Sequence, residues 1–441
     1  MACVRRCLLF LLSFNLQFTA IVEIRLEINM NIKSEDIHNA VTKHLADAQK
    51  FLCDVVAIPS LSGQEADAMN LVAERFGKIA AVERVAMSNS LRDDKDYSDP
   101  VPGIEYDGRF NVRADLKGSG GGKTLLLNTH IDTVPPSPNQ DRPFDPQVKD
   151  GCVFGRGACD AKGQAATVYL VMAALKELGV PMKGNLVAHL VTEEENGGNG
   201  TLAMVRHGEQ ADGCIVLEPT ELRILSSVRG AVWFRVTLRG KAGHSGRASD
   251  TRSAVKMAIR VVEILEAYHA KLLASSRGDA LFDKFSNPMP LTIGKFQAGN
   301  WPASAPAEAT LEGVLGLLPN ITAKQVMEQM TAAIKNEGGR DIAENFTIHF
   351  MYRHDSSVCP TDHPLVQTLQ QAARSAGAKG EIDAMTASCD AWLYNNQLNI
   401  PTAVFGGGSL GVAHAANENM PVAELATAAE AIVAAALAWC E

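Results

Sequence analysis

TLLLNTHIDTVPP, residues 124–136, is the stretch whose reading decides the fold. An unbroken apolar run at 125–127 reads as a strand covered on both faces, and it ends on a short polar turn holding His130 and Asp132. Four other stretches repeat the design, with a metal-binding type of side chain following an apolar run or its loop. They are Asp160 in GRGACDAKG, Glu195 in VTEEENGGNGT, Glu218 in CIVLEPT and His414 in GGGSLGVAHAANE. In open α/β sheets ligands gather in the crevice beyond the carboxyl ends of the strands, so these side chains are expected to meet there.

Outward from this stretch, apolar residues recur at helical spacing over 34–76, interrupted by Pro59 and Gly63, which predicts two helices and a turn. Residues 88–122 are polar and rich in Asp and Gly, and predict loop around one edge strand at 110–114. Strands at 124–128, 184–191 and 213–217 then alternate with a helix at 163–178 and a helix start at 201–207. Gly179 and Pro181 stop the first of these helices where a C-terminal glycine and a following proline should. Such alternation predicts a parallel or mixed sheet with helices on both faces, an α/β architecture.

Near Leu225 the pattern changes. Strands at 228–238, 291–297, 310–317 and 346–352 alternate with helices at 251–273 and 323–335, which predicts a small four-stranded α+β sheet with two helices on one face. The first pattern resumes after Pro360 with a helix at 364–376, a strand at 401–405 and a closing helix at 423–439. The expected division is a leader at 1–33, a larger domain at 34–224 and 356–441, and a smaller domain inserted at 225–355.

The 441-residue length fits two to three domains. A formal net charge of −9 and the lack of a basic stripe argue against nucleic-acid binding. The nine cysteines lie far apart without a CxxC pair, which favours reduced thiols of an intracellular protein, and Cys159 has no second sulfur nearby to make it a ligand. At the amino terminus, Arg5 and Arg6 precede a short apolar run at 7–14, and Thr19 and Ala20 resemble a weak cleavage region. That run is too short to span a membrane. A start at Met30 is the alternative, and the expectation is a cytoplasmic protein with a dispensable leader, export being the other reading.

Each candidate residue has a bland reading beside its chemical one. Asp132 is placed to hold one ring nitrogen of His130 so that the other binds metal, or it caps a turn. Asp160, flanked by Gly157 and Gly163, can bridge two cations about 3.5–4 Å apart, or cap the helix behind it. The triplet Glu193, Glu194 and Glu195 is either a solvated turn or a strand-end pair in which one carboxylate binds metal and its neighbour takes a proton from water. That division of labour suits metal-assisted hydrolysis. Whether the pair is Glu193–Glu194 or Glu194–Glu195 stays open on these grounds. Glu218 and His414 alone would be a surface acid and a loop histidine. Five such signals at the ends of one sheet reinforce one another.

From about residue 34 to 437 the chain resembles the M20 family of metallopeptidases and aminoacylases, in the branch of acetylornithine deacetylase and succinyl-diaminopimelate desuccinylase. NTHIDTVP, GRGACDAKG, TEEENGGNGT, LEPT, GKAGHSG and AHAANE occur in the family's order. The resemblance implies a zinc-exopeptidase-like, three-layer α/β/α catalytic domain with an inserted ferredoxin-like (βαββαβ) lid and dimerisation domain. It implies two divalent metal ions, with His130 and Glu218 on one, Glu195 and His414 on the other and Asp160 bridging. Zinc is expected, and cobalt or manganese suits the same nitrogen and oxygen donors. Glu194 would be the general base, favoured by its spacing to Gly197, Gly198 and Thr201, with Asp132 orienting His130. His244, in GKAGHSG, would reach a neighbouring subunit's site and polarise the scissile carbonyl, which implies a homodimer.

The implied reaction is hydrolysis of an N-acyl amino acid or a related small amide. A dipeptidase or carboxypeptidase of the same family is the alternative, and a binding protein that lost catalysis is a reading from a different class. One departure stands out. Many members carry an arginine in the late lid strand that receives the substrate's α-carboxylate, whereas LEGVLGLLPN has Gly316 near that place, leaving Arg229, Arg247 and Arg353 as substitutes.

Overall fold

The computed structural model describes residues 32–441. The apolar run at 7–14 and the alternative start at Met30 lie outside the described residues. Helices α1 (Ser34–Val56) and α2 (Ala66–Gly77) open the fold, and the break between them contains Pro59 and Gly63. Strands β1 (Ala81–Ala86), β2 (Phe110–Leu116) and β3 (Leu125–His130) follow. After them come α3 (Lys162–Leu178), β4 (Leu186–Val191), α4 (Asn199–His207), β5 (Gly213–Val216) and β6 (Ile224–Val228). The smaller unit comprises β7 (Gly230–Arg239), α5 (Ala254–Ser275), β8 (Leu291–Ala298), β9 (Glu308–Leu317), α6 (Ala323–Glu337) and β10 (Phe346–His354). The chain ends with β11 (Ser357–Val358), α7 (Pro364–Ser375), β12 (Ile382–Met385), β13 (Thr402–Val404) and α8 (Val422–Trp439).

The nine-stranded sheet runs β1-β2-β4-β3-β5-β13-β6-β11, with β12 beside β6. Its centre is parallel, β3 pairing with both β4 and β5, and β5 with β13. Every residue of β3 and β4 is buried because each face has its own helical layer. Leu125, Leu127, Leu186 and Ala188 pack into a core shared with α1, α3, α7 and α8. Leu126, Val187, Cys214 and Val216 point the other way, onto α4 and the chain around Trp392. Each such fully buried leucine or valine contributes roughly 1.5–3 kcal/mol. The architecture is α/β/α. Gly179 closes α3 in the left-handed conformation at φ 63°, its N–H on the Leu175 carbonyl. Helix α8 is long and apolar enough to cross a membrane by length and composition, but it packs against α1, α3 and α7. All seven cysteines among the described residues are free.

The edge-strand expectation is corrected. β2 lies one strand in, because β1 pairs antiparallel outside it from Ala81↔Asp115 to Ala86↔Phe110. Only Val85 of AVERVA is buried, so the segment shows no alternation to read. β6 is likewise a strand without a sequence pattern, since Ser226 and Ser227 interrupt its apolar character although all five residues are buried. The chain therefore leaves the large sheet at Arg229, a few residues beyond residue 225.

The smaller sheet is antiparallel in the order β8-β9-β7-β10. Two β-α-β units give this order, with α5 and α6 on one face. Val232, Phe234, Val236 and Leu238 of β7 pack there on Met257, Val261, Val326 and Met330. Trp233 alternates to the other face, toward the large sheet's loops.

Candidate active site

The parallel strands β3, β4, β5 and β13 end on one side of the sheet, and each ending delivers a side chain. His130 is the last residue of β3, the acidic triplet follows β4, Glu218 follows β5, and the loop after β13 brings back His414. Asp160 comes from the turn ahead of α3. Its two oxygens face two different imidazoles, Oδ1 at 3.1 Å from His130 Nε2 and Oδ2 at 3.4 Å from His414 Nε2. His414 Nε2 is also 3.1 Å from Glu195 Oε1, and His130 Nε2 is 4.0 Å from Glu218 Oε1. Donor atoms of His130, Asp160 and Glu195 lie within 4.8 Å of one another. The five side chains read as ligands thus come together.

Asp132 ties two of these strand ends together. Its Oδ1 accepts the Glu194 N–H at 3.0 Å, and its Oδ2 accepts the Glu195 N–H at 3.2 Å and the Ser62 hydroxyl at 3.1 Å. His130 Nδ1 lies 3.0 Å from the Asp132 carbonyl oxygen and 3.4 Å from its Oδ1. With Nδ1 held there, Nε2 is the ring nitrogen aimed at the cluster, where it donates to Asp160 Oδ1 and where a cation would take the place of its proton.

Within the triplet, Glu193 turns away from its neighbours. At φ 61° it is left-handed, and its buried carboxylate accepts from Arg109, from the Tyr106 hydroxyl at 2.7 Å and from Asn199 Nδ2 at 3.2 Å. Arg109 also donates to Glu65 at 2.6 Å, so two buried acids share one guanidinium, and burial with Asp132 nearby pushes the Glu65 carboxyl up to about 8. Glu194 and Glu195 are left on the crevice side. Gly198 follows at φ 72°, where a Cβ would lie 2.5 Å from Asp390 Oδ1, so the turn requires glycine.

Three residues beyond the expected set shape the site. Glu418 Oε1 accepts the N–H groups of Cys159 and Asp160, each at 3.1 Å, while Arg156 holds its other oxygen. Arg156 also donates to the His414 carbonyl at 3.1 Å, so the pair fixes both the Asp160 turn and the His414 loop. Asp390 is buried behind the cluster and accepts from the Thr201 hydroxyl at 2.5 Å. Glu418 is part of AHAANE, and Asp390 follows the end of β12 as the ligands follow their strands, but four residues containing Asp383 give β12 no apolar run to signal it.

Burial raises the Asp160 carboxyl, and hydrogen bonds from His130 and His414 more than offset it, leaving the group below the usual carboxylate range. Burial pushes Glu194 and Glu218 well up, with His130 acting against the shift, and raises Glu195, with Asp160 adding to it. His414 is pushed up to about 10 by its hydrogen bonds to Asp160 and Glu195. Five carboxylates, Asp132, Asp160, Glu194, Glu195 and Glu218, therefore gather around two imidazoles. Such an excess of buried negative charge is what divalent cations neutralise, and the mixed nitrogen and oxygen donors fit them.

His244 is not brought to this cluster. It sits exposed in Gly243–His244, which pairs with Ser304–Ala305, and its Nδ1 accepts the Gly246 N–H at 3.1 Å. Of the three arginines, exposed Arg247 pairs with Asp250 at 2.8 Å, and Arg353 donates to the carbonyls of Phe350, Lys95 and Tyr97. Arg229 donates to the carbonyls of Thr386 and Gly230, and burial lowers it to about 10. A Cβ at Gly316 would lie 2.5 Å from Arg229 Nη1, so this guanidinium stands where a side chain at 316 would go. Beside Glu195, a cavity of about 470 Å³ opens between the two units.

Residues 126–438 match the family described as peptidase family M20/M25/M40. The chain is similar to an N-formyl-4-amino-5-aminomethyl-2-methylpyrimidine deformylase of Bacillus subtilis, with 25% identity over 365 residues, 76% of this chain and 84% of that protein. It is similar also to a probable carboxypeptidase of Emericella nidulans, with 26% identity over 418 residues, 87% of this chain and 88% of that protein. Among solved structures, a dipeptidase of Saccharomyces cerevisiae aligns with a TM-score of 0.77 at 14% identity, over 93% of this chain and 99% of that one, a likeness of fold.

Proposed function

The chain belongs to peptidase family M20/M25/M40, and from that premise we propose that it is a metal-dependent hydrolase of N-acyl amino acids or related small amides, of the acetylornithine deacetylase kind. The observation that supports this best is Asp160, whose two oxygens face separate imidazoles with Glu195 and Glu218 alongside. In this reading His130 and Glu218 would hold one cation, Glu195 and His414 the other, and Asp160 would offer an oxygen to each. Zinc is the proposed metal, and cobalt or manganese satisfies the same donors.

Bound there, divalent cations would lower the pKa of a water and act as a Lewis acid on the scissile carbonyl. Glu194 takes the proton of the attacking water and returns it to the leaving nitrogen. Asp132 keeps His130 in the binding tautomer and holds the turn that aims Glu194 and Glu195. Arg229 receives the substrate's carboxylate in place of a side chain at Gly316. The smaller unit, 225–355, is the lid and dimerisation domain of a cytoplasmic homodimer. His244 of a second copy donates to the carbonyl oxygen as charge develops there.

The test is a Glu194→Gln protein beside the wild type, both metal-loaded, on N-acetyl amino acids and dipeptides. Faster turnover of the N-acetyl substrates, lost in the variant, supports the proposal, and a variant as active as wild type refutes the role of Glu194. Faster turnover of dipeptides favours the second reading, a dipeptidase or carboxypeptidase, which the extent of the match to the Emericella nidulans protein motivates. No bound metal and no hydrolysis of either class would leave a binding protein on this fold.

A further inference from the structure

We propose that the cleft between the acidic turn and the smaller sheet is a pocket for a bulky apolar group of the substrate, flanking the amide that is cut. This rests on the hydrolase reading above and names the substrate class within it. The cavity of about 470 Å³ falls in the range of small-molecule sites. One wall belongs to the large sheet's loops and includes Leu61, Val101 and Val134. The facing wall belongs to the smaller sheet and includes Trp233, Val314 and Met351. Glu195 borders the same space, so a group seated there is continuous with the cluster of His130, Asp160 and Glu195.

The indole wall is held in place. Trp233 stacks on Tyr352 with centroids 5.4 Å apart and planes at 21°, and the Tyr352 hydroxyl donates to Ser388 at 2.9 Å. Tyr352 in turn contacts His354 at 3.8 Å, and His354 contacts Trp392 of the large unit at 4.3 Å. A ladder of rings therefore fixes Trp233 before any ligand arrives, which lowers the entropy lost on binding. Facing apolar walls kept apart beside a charged site suit an aromatic or long aliphatic group.

Charge at the smaller-sheet side narrows the class. Glu312 is bound by Arg235 at 2.8 Å and by Lys295 at 3.0 Å, two cations on one acid. The net positive rim opposes a substrate with a side-chain ammonium, as N-acetylornithine has, and tolerates a neutral apolar one, so the deacylase reading is narrowed here away from ornithine itself.

The experiment compares kcat/KM of the metal-loaded full chain on N-(3-phenylpropionyl)glycine, N-acetylphenylalanine, N-acetylglycine and N-acetylornithine. One phenyl substrate is expected to exceed N-acetylglycine by about 10- to 100-fold, and which one shows whether the pocket lies on the acyl or the amine side. Trp233→Ala should bring that ratio toward one, and Trp233→Phe should restore much of it. Val101→Lys, on an exposed part of the wall, should lower it without a folding risk. Calorimetry with 3-phenylpropionate, phenylalanine and acetate reads the same pocket without turnover. Equal rates for the phenyl and methyl substrates, with no phenyl ligand bound in preference to acetate, would overturn the pocket and leave only a gap between units. Trp233-dependent binding of a phenyl ligand without hydrolysis would uphold the pocket and sink the hydrolase reading.

Discussion

The crevice of the large sheet and the facing side of the smaller sheet are built on opposite terms. In the crevice several charged groups have fixed partners from distant parts of the chain, as with Asp132 to the turn at 194–195, Glu193 to Arg109 and Glu418 to Arg156. The smaller unit instead leaves His244 exposed, together with Trp301 and Phe296 at 67% and 46%. In the proposed reading the large sheet sets the chemistry, while the smaller unit offers surfaces to a substrate or a second copy. Damage to the first should appear as lost rate, metal or stability, and damage to the second as altered selectivity.

Removing the metal tests the first half most severely. Chelation is expected to abolish hydrolysis and to lower Tm, because the crowded carboxylates lose their counter-charge. Saturating metal at a thousand times Kd contributes about 4 kcal/mol, and activity and thermal melts with and without added zinc, cobalt or manganese read both effects. Full activity in a chelated, metal-free protein would break the comparison at its root.

Glu194→Gln comes next, with kcat expected to fall about 10²- to 10⁴-fold while bound metal and Tm hold. Its neighbour should behave in the reverse way. Arg109→Met strands Glu65 and Glu193 without their shared cation, so unfolding in urea should show a loss of about 3–5 kcal/mol. A catalytic defect without destabilisation in Arg109→Met would mean that Glu193, not Glu194, faces the chemistry.

The difference between these adjacent glutamates marks the limit of what a linear sequence tells. The strands behind His130 and Glu218 were legible because full burial on both faces writes itself as an unbroken apolar run. The convergence of their ends follows from parallel topology alone. Which glutamate turns inward depends on Arg109 and Tyr106, 84 and 87 positions away, and no local pattern encodes that. The same holds for Arg229, whose relation to Gly316 exists only once β7 and β9 pair. Strands β1 and β6 were missed for a simpler reason, since one is mostly exposed and the other contains serines.

On the smaller unit, His244→Ala is expected to lower kcat about 10²- to 10³-fold with little change in Tm, because the side chain is exposed and its hydrogen bond among the described residues stays within its own turn. Mixing this variant with Glu194→Gln should restore part of the activity if each site borrows His244 from the other copy. No recovery in refolded mixtures would assign His244 to its own chain or to no catalytic role.

The smallest effect is expected where the two regions join. Arg229 leads from β6 into β7, and its guanidinium is tethered by two backbone carbonyls, Thr386 on the large unit and Gly230 on the smaller. Were it only a tether, Arg229→Met would lower Tm and reduce kcat/KM equally for acid and ester substrates. As a carboxylate receiver it should raise KM for free-acid substrates about 10- to 100-fold, the worth of one charge-assisted hydrogen bond, while methyl esters are spared. Arg229→Lys keeps the charge without the forked donors and should fall between the two. The ratio of acid to ester kcat/KM thus separates recognition from architecture, because a structural defect moves both substrates together.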